Sequence, residues 1–193
     1  MQNKVNIVEE QILSDNWYIL KKFTFDYQKT TGRWERQSRE AYDRGNGAVI
    51  LLYNTTKKTV ILTRQFRLPT YINGNETGLL IEACAGLLDK DNAEVCIKRE
   101  TEEETGYQIQ SVRKIFEAYM SPGSVTEILY FFVAEYSDEM KISEGGGCAD
   151  EQENIEVLEL LFEDAIQMVK NGQIKDAKTI MLIQYAQINQ LLG

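Results

Sequence analysis

The sequence predicts an α/β or α+β sandwich, in which helices close over a mixed β-sheet. Three observations carry this. Short apolar runs with strand-like alternation, bounded by turn residues, fill most of the first half of the chain. One helical segment, 92–105, interrupts them, and strands resume after it. Two further helical segments close the chain, giving a strands, helix, strands, helices order.

Within residues 1–45, Trp17, Ile19 and Leu20 lead into Phe23, Phe25 and Tyr27. A turn at QKTTGRW follows, and then a run through Arg39 and Tyr42, which reads as one long hairpin. Ala48–Tyr53 and Thr59–Arg64 are predicted strands joined by NTTKK, and Leu79–Ala85 is a single short strand. Asn92–Thr105 carries strong helix formers, with Val95 and Ile97 among polar neighbours and Gly106 as the stop. Val112–Tyr119 and Ile128–Glu135 are strands around the loop SPGSVTE, punctuated by Pro122-Gly123. An acidic, glycine-rich loop at 144–154 precedes a strand at 155–161 and helices at 162–171 and 176–191.

At 193 residues, 43% hydrophobic and 26% charged, the chain has room for a core without disulfides or metal staples. A net charge of −9 with no basic stripe argues against a nucleic-acid polymer as partner. The opening MQNKVNIVEEQ has no apolar signal core, and the longest apolar run is too short to span a membrane. Cys84, Cys96 and Cys148 match no zinc spacing; the first two read as buried thiols, and a cytoplasmic location is expected. Histidine is absent, which removes Ser-His-Asp and Cys-His catalysis and histidine metal ligation. Catalysis must therefore use carboxylates, Lys, Arg, Tyr or an oxygen-bound metal.

Residues 85–107 read AGLLDKDNAEVCIKRETEEETGY. On a helix, Glu100, Glu103 and Glu104 share a face, because neighbours three and four apart stack. An acidic run is ordinarily a solvated face. Here Arg99 precedes it, a Gly86-led apolar turn lies one helix-length upstream, and Gly106-Tyr107 ends it abruptly. Such a cluster suits Mg²⁺, a hard ion that takes oxygen ligands. Ions there can bridge a diphosphate, polarise phosphorus and lower the pKa of an attacking water.

The segment resembles the Nudix box, G-x5-E-x7-R-E-U-x-E-E-x-G-U, where U is a bulky apolar residue. Arg99-Glu100, Glu103-Glu104, Gly106 and Tyr107 fit its second half. The first half departs from it: Gly86 lies one residue nearer Arg99, Asn92 stands at the early glutamate, and Thr101 replaces an apolar residue. Loss of the early glutamate is expected to weaken a helix-orienting contact and to spare the metal site. DRGNGAVILLY, RQFR, SPGSVTE and GGGCADEQENIEVLEL, in order, resemble the ADP-ribose pyrophosphatase branch of Nudix hydrolases, nearest to its GDP-mannose-cleaving subgroup.

That resemblance implies an α/β/α Nudix sandwich at 46–193 and an N-terminal β-hairpin arm, 1–45, used in homodimerisation. It implies metal ligation by the Ala85 carbonyl and the side chains of Glu100, Glu104 and Glu151, with Mg²⁺ or Mn²⁺ as cofactor. The general base stays open among Glu103, Glu151 and Glu153. Arg67 would hold the diphosphate of a small-molecule nucleotide sugar, near Ala85, Gly86, Leu87 and Glu104. Glu127 and Asp150 would lie near the sugar or the loop, and Lys178 would close over the substrate. From the partner subunit, Trp17 and Ser38-Arg39-Glu40 would meet the base. The plainer alternatives are Arg67 beside Glu76 at the surface, Glu127 pairing at a strand end, and Trp17 packed under the hairpin. The expected reaction is hydrolysis of GDP-mannose to GMP and mannose 1-phosphate. The rival substrates are ADP-ribose or another nucleotide sugar. A non-catalytic Nudix-fold regulator would be expected to lose box carboxylates, and Glu100, Glu103 and Glu104 are all present.

Overall fold

The computed structural model describes residues 4–88, 92–148 and 154–193. The chain divides into two compact units, one of residues 1–46 with 119–128 and one of residues 47–118 with 129–193.

The first unit is a three-stranded antiparallel meander of β1 (Val5–Asp15), β2 (Ile19–Gln28) and β3 (Trp34–Asp43). The predicted hairpin is β2–β3, which pairs without interruption from Ile19↔Asp43 to Gln28↔Trp34. The sequence reading missed β1 as a separate strand. Its register on β2 shifts between Ile7 and Glu9 and again between Ile12 and Ser14, and such bulges break the period-two pattern that marks a strand. The 121–125 turn joins this unit through Tyr42, whose N–H donates to the Ser124 carbonyl and whose carbonyl accepts from Thr126 N–H.

The second unit holds a seven-stranded mixed sheet. Its main path runs β10 (Glu156–Leu161), β5 (Thr59–Phe66), β4 (Gly47–Asn54), β9 (Ile128–Glu135) and β8 (Arg113–Tyr119). Two short strands, β6 (Leu79–Glu82) and β7 (Ala85–Leu87), pair with β5 and β4 respectively. β4 is nearly all buried, as expected for a strand covered on both faces. Ala48, Ile50, Leu52 and Phe132 pack with Ile97 of α2 (Ala93–Thr105). On the opposite face Phe131 meets Phe116, which contacts Tyr185 of α4 (Ala177–Ile188) edge-on. With α3 (Phe162–Lys170) also packed against α4, the architecture is the α/β/α sandwich the sequence predicted.

Two details differ from the sequence reading. The strand expected over 79–85 is broken at Ala83-Cys84 into β6 and β7. A five-residue helix, α1 (Leu68–Ile72), and a 3-10 turn at Asp138–Met140 were not foreseen. Neither buries a residue, so neither leaves an apolar period in the sequence. No helix among the described residues is long and apolar enough to cross a membrane.

Candidate active site

The site begins where two strands part. β4 and β5 pair only through Leu52–Asn54 and Thr59–Ile61. Beyond that point β4 pairs with β7 through Gly47–Val49, and β5 pairs with β6 through Thr63–Phe66. The split admits residues 82–87. The Cys84 carbonyl accepts from Ile50 N–H at 3.0 Å, and the Ala83 N–H donates to the Thr179 hydroxyl of α4 at 2.7 Å. This fixes Ala85, Gly86 and Leu87 along α2, which packs on β7.

α2 is held at both ends. Asn92 is its N-cap, its side chain accepting from Val95 N–H at 2.9 Å. Thus the residue at the early glutamate position has a helix-capping role of its own. Gly106 ends the helix in a left-handed conformation, φ 77°, and its N–H donates to Glu102 O. A side chain there would place Cβ 2.1 Å from Ser143 O. The glycine-rich loop then caps the exposed carbonyls: Gly146 N–H reaches Glu104 O at 2.9 Å and Gly147 N–H reaches Glu103 O at 3.0 Å. The chain therefore enters the acidic loop from beside the box glutamates. Asp150, Glu151 and Glu153 lie outside the described residues.

The box side chains differ sharply in environment. Glu104 is 2% exposed. Glu100 presses on the β7 backbone so closely that a Cβ at Gly86 would lie 2.1 Å from its carboxyl carbon. Arg99 bridges Glu100 at 2.9 Å and Glu103 at 3.0 Å. Glu102 accepts from Gln108 at 3.2 Å. Thr101 is fully buried, and its hydroxyl donates to the Ile97 carbonyl, which lets it occupy an apolar position of the family pattern. Cys84 is buried beside Glu104; burial first, and then the Glu104 charge, pushes its thiol well above the usual value.

Among the described residues, no three acidic or thiol side chains converge closely enough to hold a metal ion by themselves. The oxygen-donor character of Glu100 and Glu104, and the backbone approach that Gly86 permits, fit a hard divalent cation.

A second cluster lies in the same unit. Arg67 donates from Nε to Glu82 Oε2 at 2.7 Å, not to Glu76. Lys178 donates to Glu82 Oε1 at 2.5 Å and to Asp176 at 2.9 Å. Asp176 caps α4, accepting from Thr179 N–H at 3.0 Å. Burial works to lower the pKa of both cations, but Glu82 acts on each, with Asp176 beside it, and holds both above their usual values. The sequence reading missed Glu82 and Asp176. Each left a signal: a charge inside the apolar run LLIEACAG, and an Asp-x-x-Thr helix start.

The remaining described candidates lie in the first unit. Trp17 is 84% exposed, so it is not packed under the hairpin; its ring meets Tyr18 edge-on, with centroids 6.1 Å apart. Ser38, Arg39 and Glu40 line a surface hollow of about 270 Å³ with Lys22. Glu127 pairs with Arg44 at 3.6 Å.

Comparison with known proteins is consistent along the whole chain. The NUDIX domain family matches residues 43–182, and the family described as the GDP-mannose pyrophosphatase NudK N-terminal domain matches residues 4–42. A GDP-mannose pyrophosphatase of Salmonella arizonae is 54% identical over 193 residues, covering 100% of both chains. One from Escherichia coli (strain K12) is 55% identical over 192 residues, again covering 100% of both. The crystal structure of an ADP compounds hydrolase shares the fold, with a TM-score of 0.72 at 16% identity, covering 99% of this chain and 98% of that one.

Proposed function

The chain belongs to the Nudix hydrolase family, and from that premise we propose that it hydrolyses the diphosphate bond of GDP-mannose, releasing GMP and mannose 1-phosphate. The observation that carries this reading is full-length identity of 54% and 55% to proteins named GDP-mannose pyrophosphatase. The box carboxylates Glu100, Glu103 and Glu104 are present in this chain.

We assign Mg²⁺ to the Ala85 carbonyl, Glu100, Glu104 and Glu151, with Mn²⁺ as a substitute. Bound there, the ion would polarise the phosphorus and ease deprotonation of the attacking water. The protein's own groups do the rest. Arg67 neutralises the diphosphate, and its guanidinium lies on the more exposed side of its ion pair with Glu82. Gly86 and Leu87 offer backbone along the substrate, and Lys178 supplies a second cation. Glu103, Glu151 and Glu153 are the candidates to take the proton from water. Glu103 is held by Arg99, which orients it. Glu127 and Asp150 are assigned to the sugar side.

Residues 1–45 form the dimerisation arm in this reading, and Trp17 with Ser38, Arg39 and Glu40 contacts the base bound by a second copy. The arm's exposed Val5, Ile7, Ile12 and Trp17 support this, as do exposed Phe66, Leu68, Tyr71 and Ile72 in the catalytic unit. The buried thiols Cys84 and Cys96 fit a reducing cytoplasm. The test is a panel of nucleotide sugars assayed with Mg²⁺ and after chelation. GDP-mannose should be cleaved fastest, with activity lost on chelation and regained with Mg²⁺. ADP-ribose cleaved far more efficiently than GDP-mannose would overturn the substrate assignment.

A further inference from the structure

Glu82 stands between the two cations of the site, and its position is set by the sheet. It ends β6 opposite Thr63 of β5, and the next residue, Ala83, is tied to Thr179 of α4. Its side chain is 5% exposed, that of Lys178 14% and that of Arg67 41%. One carboxylate oxygen accepts from Arg67 and the other from Lys178.

We propose that Glu82 is a positioning residue: it touches no substrate, but holds the Arg67 guanidinium and the Lys178 ammonium together at the diphosphate. The inference rests on the nucleotide-sugar reading given above. Two cations this close repel unless an anion lies between them. The Nε contact uses one of the five N–H donors of Arg67, and the guanidinium is planar, so fixing that edge fixes the direction of the others. A guanidinium oriented in advance loses less conformational freedom when the diphosphate arrives. Lys178 is anchored independently by Asp176, the cap of α4, so the arrangement links β6 and α4 through charge as well as through Thr179.

The test is Glu82→Gln, which keeps shape and one acceptor oxygen but turns an N–H donor toward one cation. The KM for GDP-mannose should rise about tenfold with kcat held within about threefold, the pattern of lost binding rather than lost chemistry. In an Arg67→Ala background the same substitution should change KM by less than about twofold, because the guanidinium it orients is gone and Lys178 keeps its second anchor on Asp176. Equal factors in both backgrounds, a loss confined to kcat, or an unchanged KM would each overturn the proposal. Should Glu82→Gln not fold, Glu82→Asp carries the same comparison: its shorter chain keeps the charge but reaches a single cation, and an intermediate KM is expected. Failure of both variants to fold would also overturn the proposal, since the carboxylate would then be serving the fold. A wild-type chain that cleaves no nucleotide sugar sinks the substrate reading instead. Calorimetric binding of inorganic pyrophosphate with Mg²⁺ then decides the role of Glu82, with binding about tenfold weaker in Glu82→Gln expected and equal affinity fatal to it.

Discussion

A carboxylate that is 2% exposed, as Glu104 is, is costly to keep charged unless cations stand close. The Arg67 charge acts on it already, and a bound metal would act more strongly. Glu104→Gln keeps the shape and removes the charge. It should lower turnover about a hundredfold or more, the scale on which metal-site groups act, without lowering the melting temperature. Near-normal turnover would remove Glu104 from the metal site. Glu159 offers a test away from the site. Burial works to raise its pKa, but hydrogen bonds from Tyr136, Lys57 and Thr59 outweigh burial and hold it below the usual carboxylate value. A depressed folded-state pKa contributes stability above the unfolded-state value, and this is lost as pH falls through the folded one. Below about pH 4.5, then, the melting-temperature gap between wild type and Glu159→Gln should shrink. A gap independent of pH would remove Glu159 as its source. At this scale the acidic helix was legible, because Arg99, Glu100, Glu103 and Glu104 are neighbours on one helix. Glu82 showed only as a charge inside an apolar run, and its role was hidden because its partners lie 15 residues before it and 96 after it.

The element that organises the site is α2, and its ends matter more than its middle. Asn92 and Gly106 were visible as start and stop, but the sequence alone treated Asn92 as a lost glutamate. The structure gives it a cap hydrogen bond to Val95. Asn92→Ala should therefore destabilise the protein by about 1 kcal/mol, read as a lower urea midpoint with an unchanged slope. An unshifted midpoint would mean that the cap contributes nothing. The strands show where legibility ends. β4 and β5 were clear from their apolar runs, whereas the break of the 79–85 segment into β6 and β7 was hidden. The break depends on where β4 and β5 part, and that is set by pairing between strands distant in sequence. The candidate site is built on that break, so its box carboxylates were visible in the sequence while their frame was not.

For the whole molecule the question is whether a site is completed within one chain or by two. The first unit carries Trp17 at 84% exposure and a β1 strand with almost every residue exposed. A long exposed strand with Val5, Ile7, Ile12 and Leu13 on it is a surface that ordinarily requires cover. If a second copy provides the cover and the arm acts across the dimer, two differently damaged chains should repair one another. Trp17→Ala removes the exposed indole proposed to stack on the base, and Glu104→Gln removes the carboxylate proposed to hold the metal. Each variant alone should form a dimer of low activity. Unfolded and refolded together in equal amounts, half of the dimers should be mixed. In each mixed dimer one site would take an intact arm from one chain and an intact box from the other, so about a quarter of all sites should recover. Recovery of that size, measured as GDP-mannose turnover on material confirmed as dimer by analytical ultracentrifugation, is the expected result. If each arm serves its own chain, every site in the mixture keeps one defect, and activity stays at the mean of the two variants.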